Sequence, residues 1–201
     1  MLLFSLMKKL ILILFIILNR SCFINGQFSL DSIPVAEDGN VKYEKAFDIS
    51  GTKDQRYSKA KIWLSDSFKT SKAVIETDDK EEGILIAKWK MLYNYDIYTV
   101  KNKDIEKLNN PRSGNIDFTL KIYLKDNKTK VIVSDIDLPF PGMPAILSNY
   151  GVLKIQAARY LLNSDQDNYK STGMTELSRF EGIHKIITAI MENLHSSLLK
   201  K

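Results

Sequence analysis

Hydrophobic and polar residues alternate along much of this chain, and the period changes from segment to segment. Val41, Tyr43, Phe47 and Ile49 share one parity, while Lys42, Glu44 and Asp48 hold the other. That is the period-2 pattern of a strand with one buried and one wet face. Thr52-Lys53-Asp54-Gln55 follows as a capping box, in which the Thr52 hydroxyl and the Gln55 side chain satisfy free backbone donors reciprocally. Tyr57, Ala60, Trp63, Leu64, Ser67 and Phe68 then fall at helical spacing and define one apolar stripe. A short strand is expected over residues 73–77 and an acidic turn from Asp78 to Gly83. A second strand is expected over residues 84–93, with Leu85, Ala87, Trp89 and Met91 on one face and Lys88 and Lys90 on the other.

Residues 101–114, with Asn109-Asn110-Pro111 and Ser113-Gly114, read as loop. The clearest strand covers residues 115–125, where Ile116, Phe118, Leu120, Ile122 and Leu124 alternate with polar neighbours. Asp126-Asn127 then marks a tight turn, and residues 129–138 return as the antiparallel partner. The prolines at 139, 141 and 144 stop the sheet. Residues 145–162 carry helical spacing at Leu153, Ala157, Tyr160 and Leu161, and 163–173 read as a polar loop. A long helix over about 176–198 bears the stripe Phe180, Ile183, Ile187, Ile190, Met191, Leu194 and Leu198. The order is β-α-β-β-β-β-α with an extra helical segment before the last helix. It predicts an α+β fold: one antiparallel sheet of about five strands with helices packed on one face.

The first residues change how the composition is read. Lys8 and Lys9 precede an unbroken apolar run from Leu10 to Leu18, the pattern of a signal peptide and too short for the roughly 20 residues of a spanning helix. Two exits stand open: cleavage after Gly26, or lipidation of Cys22. The expected organisation is a signal peptide over 1–26, a leader over 27–40 and a single domain over 41–201, with an insert at about 139–172. Residues 1–26 hold Lys8, Lys9 and Arg20 and no acidic residue, so the net charge of +5 for the whole chain falls to +2 for residues 27–201. So small a charge gives no electrostatic footprint for nucleic acid. Cleavage after Gly26 would also remove the only cysteine, Cys22, leaving no disulfide, thiol nucleophile or thiolate metal site. The expected location is the periplasm or cell envelope, with no transmembrane helix in the mature chain.

Several of these segments together resemble a family, DUF4468, a domain of unknown function with a TBP-like fold found in exported bacterial proteins. The residues that carry the likeness are Val41-Lys42-Tyr43, the helix core Ala60-Lys61-Ile62-Trp63-Leu64 with Phe68, and Asp78-Asp79 leading to Gly83-Ile84-Leu85-Ile86-Ala87-Lys88. The strand Phe118-Thr119-Leu120-Lys121-Ile122 continues it. The resemblance covers residues 34–138 and implies a fold but no activity, cofactor or partner.

Candidate chemistry is sparse. Asp135 and Asp137 are two apart on a strand, which places both carboxylates on one face in a position to hold a divalent cation or do acid–base work; a solvated strand end is the plainer reading. The acidic turn Asp78, Asp79, Glu81 and Glu82 lacks the spacing of an EF-hand loop. His184 and His195 are about 16 Å apart along one helix, too far to ligate one metal. No G-x-S-x-G, phosphate loop or dinucleotide fingerprint occurs. The remaining candidate is a binding surface of Lys88, Trp89, Lys90, Tyr93, Tyr95 and Tyr98, suited to stacking a sugar or taking a partner's strand. The sequence therefore points to an exported, non-catalytic module that binds an envelope protein, peptide or glycan, without a cofactor. Two alternatives are a carrier of a small apolar ligand between sheet and helices, and a hydrolase in which Asp135 or Asp137 meets His184.

Overall fold

The computed structural model describes residues 28–68, 72–137 and 151–200. The first strand, β1 (Tyr43–Asp48), turns its apolar parity inward and ends at a loop that starts helix α1 (Lys53–Phe68). The capping box forms as its sequence requires: the Gln55 amide donates to Thr52 Oγ1 at 3.3 Å, and the Thr52 amide donates to Gln55 Oε1 at 3.2 Å. Helix α1 carries the chain across one face of the sheet, from β1 at one edge to β2 (Lys72–Asp79) at the other.

Strands β3 (Ile84–Tyr95), β6 (Arg112–Lys125) and β7 (Lys128–Asp137) complete an antiparallel sheet in the order β1-β7-β6-β3-β2. Between β3 and β6 the chain makes a separate two-stranded hairpin, β4 (Tyr98–Lys101) and β5 (Asp104–Lys107). The loop expected over 101–114 is corrected here. Asn102 and Lys103, both at positive φ, close the hairpin, and β6 begins at Arg112. Strands of four residues, buried on neither face, leave too short an alternation to register in the sequence.

Helix α2 (Gly151–Leu162) packs on α3 (Asp167–Leu199), and α3 in turn lies against α1, β1, β3 and β4. The long helix starts about nine residues before the expected boundary. Its stripe continues backwards through Glu176, Gly173 and Ser171, which are buried but not apolar, so the hydrophobic periodicity fades before the helix does. A side chain at Gly173 would collide with the α2 backbone, 2.8 Å from Leu161 C, so glycine permits this approach. The face of α2 is also corrected: Lys154, Ile155 and Ala158 are buried, whereas Tyr160 is 75% exposed.

Between sheet and helices, aromatic and aliphatic side chains pack together. Trp63 of α1 meets Trp89 edge-on at 5.9 Å between ring centroids, Trp89 meets Phe118 at 5.9 Å, and Trp63 Nε1 donates to Asn193 Oδ1 of α3 at 2.8 Å. Leu64, Leu120, Ile122, Ile187 and Leu194 complete this layer. Its hydrophobic burial is the main source of stability, at roughly 25 cal/mol per Å² of apolar surface.

The hairpin turn β6–β7 is tied to the loop before α1. Asn127, at φ 57°, exchanges hydrogen bonds with Gly51, and Asp126 Oδ1 accepts from the Lys53 amide at 2.7 Å. Arg56, 1% exposed, points into this junction and donates to the carbonyls of Ile49, Gly51 and Lys125.

Candidate functional site

Among the described residues, the helices that touch the sheet, α1 and α3, cover one face and none covers the other, so that other face is where a partner would find uncovered side chains. Reading across it, Val74, Lys88, Thr119 and Ser134 lie in one row, and Ile86, Lys121, Ile132 and Glu44 in the next. The charges alternate in sign and pair between strands. Lys88 reaches Glu76 at 2.7 Å, Lys90 reaches Asp117 at 3.0 Å, Lys130 reaches Glu44 at 2.6 Å, and Lys121 lies 3.9 Å from Asp135. Among them Val74 and Leu92 stand out, each 66% exposed. A shallow concavity of about 360 Å³ opens between Val74, Lys88, Lys90, Asp117, Thr119 and Asp135.

Two β-bulges flank this concavity. In β2, Glu76 is the extra residue between Ile75 and Thr77; in β7, Asp135 and Ile136 together face Phe118. Asp135 takes φ 53°, which ends the regular alternation of β7. The bulge separates the two carboxylates expected to act together: Asp137 stands opposite Asp117, and Asp135 turns toward Lys121 and Ser134. Among the described residues, no cluster of three or more His, Cys, Asp or Glu is placed to hold a metal ion.

The six residues singled out as a binding surface do not form one. Lys88 and Lys90 belong to the uncovered face, but Trp89 and Tyr93 are buried core residues on the helix side, as the period-2 geometry of β3 demands. Tyr93 lies where only glycine fits opposite it, since a Cβ at Gly114 would fall 2.7 Å from its ring. Tyr95 and Tyr98 mark a separate corner, where β3 leads into β4 under α3. There the Asp96 amide donates to Ser178 Oγ at 2.7 Å and the Tyr98 amide to Thr175 Oγ1 at 3.0 Å. The Arg179 guanidinium lies over the Tyr95 ring at 4.5 Å and donates from Nη2 to its hydroxyl at 3.1 Å.

Next to Arg179, at 3.4 Å, is Glu176, only 3% exposed. Burial pushes its carboxyl up to about 7, and Arg179 offsets this only in part. Burial likewise pushes the Tyr93 hydroxyl up to about 12. Sequence reading passed over both Glu176 and Arg179. The available signal was spacing: Glu176 lies four residues before Phe180, in line with the apolar stripe.

The two alternative chemistries meet obstacles. His184 faces Tyr43, whose hydroxyl is 3.1 Å from Nδ1, and the ring of Phe28, while Asp135 points away on the opposite face of the sheet. An apolar carrier would need space between sheet and helices, where Trp63, Trp89 and Phe118 pack together.

Residues 43–138 match the family model of a domain of unknown function with a TBP-like fold, DUF4468. Among solved structures, a DUF4468 family protein from Bacteroides ovatus is 14% identical, with 83% of this chain and 94% of that chain covered and a TM-score of 0.49. A TBP-like protein from Parabacteroides distasonis is 13% identical, with coverage of 81% and 97% and a TM-score of 0.47. No curated protein matches the sequence. Among the described residues, no helix is long and apolar enough to cross a membrane. The fold is α+β and TBP-like, and residues 43–138 carry the chain's likeness to the DUF4468 family.

Proposed function

We propose that this chain is an exported, non-catalytic interaction module of the cell envelope, and that the uncovered face of its sheet is the contact surface. One observation carries the reading: that face presents Val74 and Leu92, two large apolar side chains, within a lattice of locally paired charges. Exposed apolar groups framed by polar ones suit a protein or peptide partner. Each lysine named on this face has a carboxylate beside it, so the face offers no unbroken basic field to a phosphate backbone. Export is supported by the basic pair Lys8-Lys9 and the apolar run that follows, which lie outside the described residues.

The test is crosslinking of the tagged protein in its native host, with mass spectrometry of the captured partner and of the mature N-terminus. Val74→Asp and Leu92→Asp should each abolish capture of a partner that the parent protein retains, without lowering stability. Undiminished capture by both variants would show that the surface lies elsewhere. A mature chain that retains the apolar run from Leu10 to Leu18 would refute cleavage of the signal.

A further inference from the structure

The β4–β5 hairpin shares no strand ladder with the main sheet, and it packs on α3. A single turn of that helix grips the corner leading into it. Thr175 and Ser178 accept the Tyr98 and Asp96 amides, and Arg179 covers Tyr95. Glu176 lies inside the same turn, in the helix stripe where an apolar residue would be expected. We propose that the β4–β5 hairpin is a proton-sensitive flap, closed on α3 while Glu176 is neutral and released when Glu176 ionises.

The argument rests on how one guanidinium is shared. Arg179 stands between the Glu176 carboxyl and the Tyr95 ring and hydroxyl, and among the described residues its buried Nε has no acceptor. A neutral Glu176 leaves Arg179 to Tyr95. An ionised one draws the guanidinium to itself and needs water that the closed corner excludes. Opening the corner supplies that water. The Thr175 and Ser178 contacts are then lost together, because they belong to the same turn.

The other titratable groups around the corner do not replace this one. From β3, Tyr93 is coupled to Glu176 but is held neutral by burial. Asp96 is paired with Lys107 of β5 at 2.6 Å, and Glu181 with Lys185 at 2.6 Å. From α2, Arg159 is engaged by Asp31, and burial lowers the proton affinity of Lys154, with Asp137 acting in the opposite direction.

The expected size follows from linkage. Glu176 titrates near 7 in the closed state against 4.5 when hydrated, so the opening constant should rise about tenfold between pH 6 and pH 8. Backbone hydrogen exchange of the full chain, followed by NMR and corrected for the intrinsic pH dependence, measures this directly. The Asp96 and Tyr98 amides should lose about tenfold in protection over that range, and those of Val131 and Val133 in the central sheet should not. Glu176→Gln should flatten the profile of Asp96 and Tyr98. A flat profile in the parent protein, the same slope in Glu176→Gln, or an equal loss at Val131 and Val133 would each overturn the proposal. Should Glu176→Gln not fold, a carboxyl carbon titration of the parent decides. A midpoint near 7 for Glu176 supports the flap, and one near 4.5 removes its driving force.

Discussion

Replacing Arg56 by Met tests how the fold is closed at the loop between β1 and α1. The guanidinium is buried and donates to three carbonyls, those of Ile49, Gly51 and Lys125, which belong to the loop and to the end of β6. Burial lowers its proton affinity, with Asp126 acting in the opposite direction, so the charge is held there at some desolvation cost. Hydrogen bonds to a charged group contribute about 1.5–3 kcal/mol each. Methionine retains most of the stem's volume and none of the donors. The Gly51 carbonyl still receives the Asn127 amide at 3.2 Å, but those of Ile49 and Lys125 lose their guanidinium donor. Relief of the buried charge returns part of the loss, so the net cost should be about 3–5 kcal/mol. Urea unfolding with a constant m-value would read it as a shift in midpoint. Arg56→Lys, with one compact ammonium in place of a fork, should recover less than half. A loss below about 1 kcal/mol for Arg56→Met would refute the view that this junction is held by the guanidinium.

Three further outcomes are expected. Gly182→Ala places a Cβ against the Asn94 carbonyl and 3.2 Å from Tyr93 Cδ2, so α3 must lift from β3 and stability should fall by about 1–3 kcal/mol in thermal or urea unfolding. Glu176 is protonated more readily folded than unfolded, so its contribution is most favourable below its unfolded value of 4.5 and declines as pH rises toward about 7. Glu176→Gln should therefore match the parent at pH 4 and be more stable at pH 8 by about 3 kcal/mol, checked by unfolding at both pH values. Trp63→Phe removes the donor to Asn193 Oδ1 and part of the ring that meets Trp89, and should cost about 2–3 kcal/mol, whereas Ile62→Phe on the exposed side of the same helix should change stability by less than about 0.5 kcal/mol.

The parts of the fold that were legible in the sequence are those where one physical term dominates locally. The capping box at Thr52 and Gln55 forms because both partners lie within one turn. The parity of β6 is legible because Ile116, Phe118, Leu120, Ile122 and Leu124 all enter one core. Legibility ends where a residue's environment depends on a distant element. Gly173 reads as loop and Glu176 as the polar start of a helix until α2 and the β4 corner are packed around them. The expected binding set failed for a related reason. Consecutive residues of β3 were joined into one surface, yet Trp89 and Tyr93 face the helices while Lys88 and Lys90 face away.

The uncovered face shows the same limit in its charges. Along the sequence Lys88 and Lys90 flank a tryptophan and look like a small cationic patch, but each is opposed by a carboxylate from a neighbouring strand. Glu76 reaches Lys88 because the bulge in β2 inserts one residue after Ile75, whereas Lys88 lies directly opposite Val74. Glu44 meets Lys130 because the chain crosses the whole sheet before β7 returns beside β1. Such pairs are exposed and contribute about 0–1 kcal/mol each to stability. Their larger effect is on recognition. They cancel the field of the lysines at short range and leave Val74 and Leu92 as the features that distinguish this face from an ordinary wet sheet. A partner selected by such a surface would bind through apolar contact ordered by short-range charge pairing, so its affinity should change little with ionic strength.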